Sequence, residues 1–429
     1  MGTMKQEKKW TVMVYLAGDN NLDGPGIVDL KEMKSVGSTE AVNIIAQFDR
    51  EGNKGESRRY FLRKGGTLDA DAVANLGETN TGDPKVLQEF IAWGMGEYPA
   101  ERYMVVIWNH GAGWDDTNVY RMVRDGLKMD VSRKAGIVAK AAGESQGVVA
   151  NRHIRRITAR PLSRALFGAS IEMALKTRAI AFDDQARDFI DNQELKKVLA
   201  AAKKKLKRKI DILGMDACLM NMAEVAYQVK GSVAFTVGSQ EVEPGDGWPY
   251  DKILAQLVKK PDMQPRELAR LIVDDYLASY KAGDGVTQSA LDLEKVDTIA
   301  GACDGLAKVL IENLPDKEVR AALLAARNQV QSFENPDYVD LVDLAQLIRQ
   351  QITKAAIALA CTGVIDAVSG GFVAKSGFKG STMAHAQGVS IYFPVKGISP
   401  LYAKLDFAKK TAWDELIRKF QEANTVKRI

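Results

Sequence analysis

The chain has 429 residues, more than one ordinary core holds, so one large domain or two are expected. Apolar residues make up 46% and charged residues 27%, the balance of a globular protein, and no run of 18 apolar residues suggests a membrane span. The net charge is +4, and three cysteines, Cys218, Cys303 and Cys361, exclude a disulfide framework.

The first residues, MGTMKQEKKWTVMVYLAG, lack the long apolar stretch and small-residue cleavage site of a secretory signal. The protein is therefore expected either in the cytoplasm or secreted after removal of a signal. Trp10 to Gly18 reads as the first strand and Asp23 to Val36 as a helix. Val42 to Phe48 and Arg58 to Arg63 read as strands, and Gly65 to Gly82 as loop. Lys85 to Gly94 is an amphipathic helix with Val86, Leu87, Phe90 and Ile91 on one face, and Pro84 suits its first turn. Tyr103 to Trp108 is a strand apolar throughout, the pattern of burial on both faces.

Arg121 to Arg178 breaks the alternation. It carries 13 Lys and Arg against 4 Asp and Glu, a local charge of +9, so the rest of the chain is net acidic and the basic surplus belongs to this segment. It reads as an insertion, part loop and part helix, spanning 121–178. Asn192 to Lys207 is helical, Ile210 to Met215 is a second strand, apolar but for Asp211, and a helix is expected from about Leu219 to Val229. Val233 to Val237 is another strand, followed by the loop EVEPGDGWPY. Pro265 to Tyr280, Asp297 to Leu314, Pro315 to Gln331, Leu341 to Ala360 and Ala412 to Ala423 are helical by pattern, with one late strand at Gly388 to Pro394. Strands alternating with helices predict an α/β fold, a mostly parallel sheet with helices on both faces. The expected units are a catalytic domain from 1–120 and 179–260 and a mainly helical region, 261–429, packed on it.

Two stretches carry chemistry. YMVVIWNHGAGW ends its strand at His110, and IDILGMDACLM ends its strand at Cys218. Reactive groups in open α/β sheets sit just beyond the carboxyl ends of strands, so adjacent strands would bring this thiol and imidazole together as nucleophile and acid. Cys218 also follows an aspartate and is expected to open a helix, whose positive end favours a thiolate. Cys303 and Cys361 lie in apolar helical patterns and read as packed core residues. Of the other histidines, His153 falls in the insertion and His385 in a loop.

Five blocks in order now point to a family. They are WTVMVYLAGDNNLD (10–23), WNHGAGW (108–114), AFDDQARDFIDNQEL (181–195), MDACLMNMAEVAY (215–227) and VGSQEVEPGDGWPY (237–250). Together they resemble clostripain-like cysteine peptidases, which implies a caspase-like fold. The resemblance covers most of residues 10 to 255, apart from the insertion. It implies Cys218 as nucleophile, His110 as the acid for the departing amine, and the amides of Gly111 and Cys218 as oxyanion donors. It also implies protein or peptide substrates cut after Arg or Lys, and so an acidic pocket. Asp216, two positions before Cys218 and on the same strand face, and Asp246 are the candidate carboxylates, with Ser239 and Gln240 flanking the substrate within a segment, Val237 to Glu241, that would hold it as an added strand. An ordinary turn carboxylate is the competing reading, above all for Asp246. Asp19, Asn21 and Asp23 in GDNNLD resemble half of a calcium loop without its terminal Glu. Turn and cap chemistry explains them equally, so calcium stays a candidate and no cofactor is required.

The rival reading is a non-catalytic binding protein on the same fold that uses the basic insertion against nucleic acid or another acidic surface. Phe167 is the insertion's one aromatic residue suited to stacking, which argues against single-strand binding. The peptidase reading instead makes the insertion an activation linker, rich in the residues that an acidic pocket accepts, and so a substrate for self-processing.

Overall fold

The structure is a computed structural model that describes residues 7–19, 22–50, 56–109, 111, 113, 114, 180–183 and 188–425. Its strands in chain order are β1 (Lys8–Gly18), β2 (Val42–Arg50), β3 (Ser57–Phe61), β4 (Ala72–Gly77), β5 (Ala100–Trp108), β6 (Ile180–Asp183), β7 (Asp188–Ile190), β8 (Ile210–Asp216), β9 (Val233–Gly238), β10 (Thr287–Asp292), β11 (Tyr338–Asp340), β12 (Val373–Phe378) and β13 (Ser390–Tyr392). Nine of them form one sheet in the order β12-β10-β9-β8-β5-β1-β2-β3-β4. The central five, β2-β1-β5-β8-β9, are parallel, and two antiparallel strands flank them on each side.

The apolar runs become the centre of the sheet because both of their faces are covered. In β1, Trp10, Val12, Val14 and Leu16 point into one core, while Met13, Tyr15 and Ala17 point into the other, as the two-residue period of a strand requires. The helices Asp23–Val36, Tyr250–Lys259 and Pro265–Ser279 cover the first face. Pro84–Glu97, Asn192–Leu206 and Val296–Asn313 contribute to the second. The helix Asn192–Leu206 opens with a capping box, in which Asp191 accepts from the Gln193 and Glu194 amides and Glu194 reaches back to Asp191 N–H; such a cap fixes where a helix starts.

Several expectations change. Residues 72–77 are a strand rather than loop, paired on β3 at the edge of the sheet. The helix expected over Leu341 to Ala360 is two, Leu341–Gln351 and Ala355–Ala367, although no Gly or Pro marks the break. The late strand is shorter than expected, and the region after residue 261 also supplies β10 and β12 to the main sheet. β10, TQSALD, is buried along its whole length, yet four of its six residues are polar, so it lacks the apolar pattern of a buried strand.

Among the described residues, one apolar helical stretch, Ala355–Phe372, has the length and mean hydropathy (1.6) to cross a membrane. Ile357, Cys361, Val364 and Val368 form its buried stripe, at the spacing of a helix lying on a globular core.

Candidate active site

Strand register brings the two chemical stretches together. β5 and β8 are neighbours and parallel, and Trp108 pairs with Asp216. In the chain, His110 follows Trp108 by two positions and Cys218 follows Asp216 by two. His110 itself lies outside the described residues, but its neighbours on either side are defined. Asn109 N–H donates to the Asp216 carbonyl at 3.4 Å, and its side-chain amide donates to Ala17 O at 2.7 Å, tying β5 to β1. Gly111 packs directly on the nucleophile stretch: a Cβ there would stand 2.5 Å from Cys218 O, 2.8 Å from Ala217 Cβ and 3.0 Å from Cys218 N. A glycine is required because two backbones meet.

Cys218 does not open a helix. The seven-residue helix Ala223–Val229 begins five positions later, and Cys218 lies in the turn that follows β8. The turn is forced: Leu219 has φ 63°, a left-handed conformation that costs a bulky residue roughly 1–2 kcal/mol. Its surroundings hold it there. Leu219 N–H donates to Glu241 O (3.2 Å), and Asn221 N–H to Ser239 O (3.0 Å). The Asn221 side chain donates to the carbonyls of Ser289 and Gly388, so β10 and the C-terminal region buttress the turn. The contact that a helix terminus was expected to supply comes from elsewhere. Glu243 N–H donates to Cys218 Sγ at 3.3 Å, which puts the positive end of a peptide dipole on the sulfur.

Asp216 is fully buried, and Tyr250 O–H donates to its Oδ2 at 2.8 Å. Burial, then the negative charges of Glu243, Tyr280, Asp216 and Cys218, raise the Tyr276 hydroxyl well above its ordinary range. Asp246, unlike Asp216, is exposed in a turn closed by Gly247 N–H to Pro244 O (3.0 Å), with Gly247 at positive φ.

Ser239 and Gln240 were expected beside the substrate, and the structure gives their side chains other partners. Ser239 Oγ bonds Thr287 Oγ1 at 2.9 Å. Gln240 donates to Asp340 (3.0 Å) and accepts from Gly388 N–H (2.9 Å). Backbone groups that an added strand along Val237 to Glu241 would use have partners within the chain. β9 is paired by β8 on one edge and β10 on the other, and the Gln240 and Glu241 amides donate to Thr287 Oγ1.

Of the calcium candidates, Asn21 lies outside the described residues. Asp19 is buried, and its charge, after burial, raises Glu78. Asp23 accepts both arms of the Arg50 guanidinium at 2.9 and 3.0 Å. A carboxylate committed to a guanidinium does not fit a calcium ligand. Among the described residues, no group of three or more His, Cys, Asp or Glu could hold a metal.

Glu243, Tyr250, Tyr276 and Gln288 were missed from sequence. Glu243 stands in an acidic Gly/Pro-rich loop and was within reach of a search for carboxylates near the pocket. Tyr276 and Gln288 come from a helix and a strand with no motif, and only folding brings them here.

A mostly parallel sheet with helices on both faces and a cysteine just past the end of a central strand define a caspase-like α/β protein. The chain belongs to the clostripain family of cysteine peptidases, Peptidase C11, whose family model matches residues 14–133 and 168–420. Clostripain of Hathewaya histolytica is 25% identical over 408 residues, covering 80% of this chain and 66% of that protein, so the chain spans just under two thirds of its curated relative. Two solved structures share the fold. A secreted C11 cysteine protease of Bacteroides thetaiotaomicron in complex with an irreversible peptide inhibitor has TM-score 0.61 and 20% identity, over 95% of this chain and 100% of that one. An inactive zymogen C11 protease of Parabacteroides distasonis has TM-score 0.62 and 17% identity, over 95% and 99%.

Proposed function

We propose that this protein is a cysteine endopeptidase that cleaves after Arg or Lys through a Cys218–His110 dyad. The observation that carries the reading is the β5–β8 register, which sets Gly111 against Cys218 beside a buried carboxylate, Asp216. In this reading the Cys218 thiolate attacks the scissile carbonyl. Backbone N–H groups of Gly111 and Cys218 receive the developing oxyanion. The C–N bond breaks as His110 gives its proton to the departing amine, leaving a thioester. Water then adds to the thioester with loss of a proton to His110, and the acid product leaves as the thiolate is restored. Asp216 supplies the charge that recognises a basic side chain, as a carboxylate buried away from water holds a cation more strongly than an exposed one.

The same reading makes residues 121–178 a linker cut by the enzyme itself, in a family where one structure of Parabacteroides distasonis is described as an inactive zymogen. The test is cleavage of matched fluorogenic peptides ending in Arg, Lys, Asp or Leu, with and without calcium. Arg and Lys peptides should be cut, and Cys218→Ala and His110→Ala should each abolish cleavage while the protein stays folded. An active Cys218→Ala protein, or preference for Asp before the cut, would overturn the reading.

A further inference from the structure

We propose that Thr287 is a positioning residue for the nucleophile: its hydroxyl fixes the segment that sets the Glu243 N–H against the Cys218 sulfur. The inference rests on Cys218 as the nucleophile, as proposed above. It goes further by giving part of the site to β10, a strand of the region after residue 261.

Residues 239–243 grip the nucleophile turn at three points. Ser239 O accepts from Asn221 N–H (3.0 Å), and Glu241 O accepts from Leu219 N–H (3.2 Å). Glu243 N–H reaches Cys218 Sγ itself at 3.3 Å. A donor on the sulfur favours the thiolate over the thiol. The geometry of this segment therefore bears on the charge of the nucleophile as well as on its place.

The segment cannot hold that geometry by itself. β9 ends at Gly238 and the next helix begins at Tyr250, so neither a ladder nor a helix takes up its amides, and buried amides need an acceptor. Thr287 supplies one. Its Oγ1 accepts from Gln240 N–H at 3.0 Å and from Glu241 N–H at 3.1 Å, the second shared with Ser239 Oγ at 3.1 Å. A hydroxyl has two lone pairs and one proton. Both lone pairs are then in use, so the proton goes to Ser239 Oγ, 2.9 Å away. One hydroxyl thus holds three consecutive residues, Ser239, Gln240 and Glu241. Thr287 is itself 1% exposed and stands on a paired strand: it lies opposite Phe378 of β12, and β10 runs on against β9 from Ser289–Gly238. A group carried on a strand places its partners more exactly than a loop does.

The test follows alkylation of Cys218 by iodoacetamide as a function of pH, read by peptide mass mapping of the full chain, beside kcat/KM for an Arg peptide. Thr287→Val keeps the branched side chain and removes its oxygen, so Gln240 N–H loses its acceptor and the segment is free to shift. The midpoint of the alkylation profile should rise by about one pH unit, the worth of roughly one hydrogen bond to a charged group. The peptide kcat/KM should fall about tenfold or more, as small misplacements of reacting groups do. Thr287→Ser keeps the hydroxyl and should restore both readings. His110, Asp216, Glu241, Glu243 and Tyr276 are present in all of these proteins, so a difference between their profiles comes from residue 287. An unchanged midpoint in Thr287→Val, or a Thr287→Ser protein as impaired as Thr287→Val, would overturn the role of Thr287. A Cys218→Ala protein that still cleaves the peptide would instead remove the reading on which the inference rests. If Thr287→Val shows no thermal unfolding transition, Ser239→Ala decides. It deletes the partner that orients the hydroxyl and should move the midpoint in the same direction, and an unchanged midpoint there overturns the proposal.

Discussion

At the scale of single residues, the site depends on one contact between backbones and one reactive group among three thiols. Gly111 has no room for a methyl group, since a Cβ would sit 2.5 Å from Cys218 O. Gly111→Ala should therefore push apart the two stretches proposed to carry the oxyanion donors, and kcat should fall on the order of 10²–10³-fold, the cost of losing such a donor. A melting temperature close to wild type would locate the loss in the site; near-normal kcat would show that the contact has no catalytic part. Burial pushes the Cys361 thiol up to about 12 and raises Cys303 further still, helped by the charges of Glu224 and Asp304. Both are then neutral and unreactive at neutral pH. Limited iodoacetamide treatment at pH 7.5, read by peptide mass mapping, should modify Cys218 first; earlier modification of Cys303 would contradict its placement in the core.

At the scale of elements, the short helix after the nucleophile turn is pinned by a buried carboxyl. Glu224 accepts from Tyr392 N–H (2.9 Å) and Tyr402 O–H (3.0 Å), so the helix Ala223–Val229 is tied to β13 and to the segment after it. Burial raises the Glu224 pKa from 4.5 to about 7 despite those two donors. A pKa raised on folding means that the folded state favours the neutral form. The stabilisation is therefore whole below pH 4.5 and is lost as pH rises through about 7. The loss is on the order of 3 kcal/mol. Glu224→Gln keeps an acceptor and cannot ionise. Between pH 5 and 8.5 its melting temperature should rise relative to wild type by a few degrees. A difference that stays constant over that range would mean that Glu224 does not titrate there. Glu241 and Asp340, raised by burial to about 8 and about 6, remain in both proteins and cancel in the comparison.

At the scale of the whole molecule, the described residues on either side of the insertion share one sheet. β5 and β8 pair from Met104–Ile212 to Trp108–Asp216, and residues from both sides fill both cores. A cut within residues 121–178 would leave that pairing and burial in place, and the removal of apolar surface from water is the main force that holds such parts together. Wild type purified from cells should therefore resolve on a denaturing gel into two chains that elute together under native conditions, while Cys218→Ala stays whole. Arg121, Arg124, Lys128, Arg133 and Lys134 are the nearest candidate sites after His110. Fully active wild type that remains one chain would show that the insertion is not an activation switch.

The parallel centre of the sheet and the two chemical stretches were legible in the sequence by itself. A strand buried on both faces is apolar at most positions, so WTVMVYLAG, VNIIAQF, YMVVIW and IDILGM, with Thr11, Asn43, Gln47 and Asp211 as their polar exceptions, identify themselves without knowledge of their neighbours. The words at their ends, NHG and DAC, mark where chemistry sits for the same local reason. The periphery was less legible. Four of the six residues of β10 are polar; three of them, Thr287, Gln288 and Ser289, bond to the segments around the Cys218 turn, and no local pattern reports partners so far along the chain. The helix expected to start at Leu219 starts at Ala223, because the turn geometry is set by hydrogen bonds that Leu219 and Asn221 donate to the carbonyls of residues 239, 241, 289 and 388. The burial of Glu243, Tyr276 and Gln288 was decided by tertiary structure alone. Each of them reads as an ordinary loop, helix or strand residue, and their burial exists only once β8, β9 and β10 lie side by side.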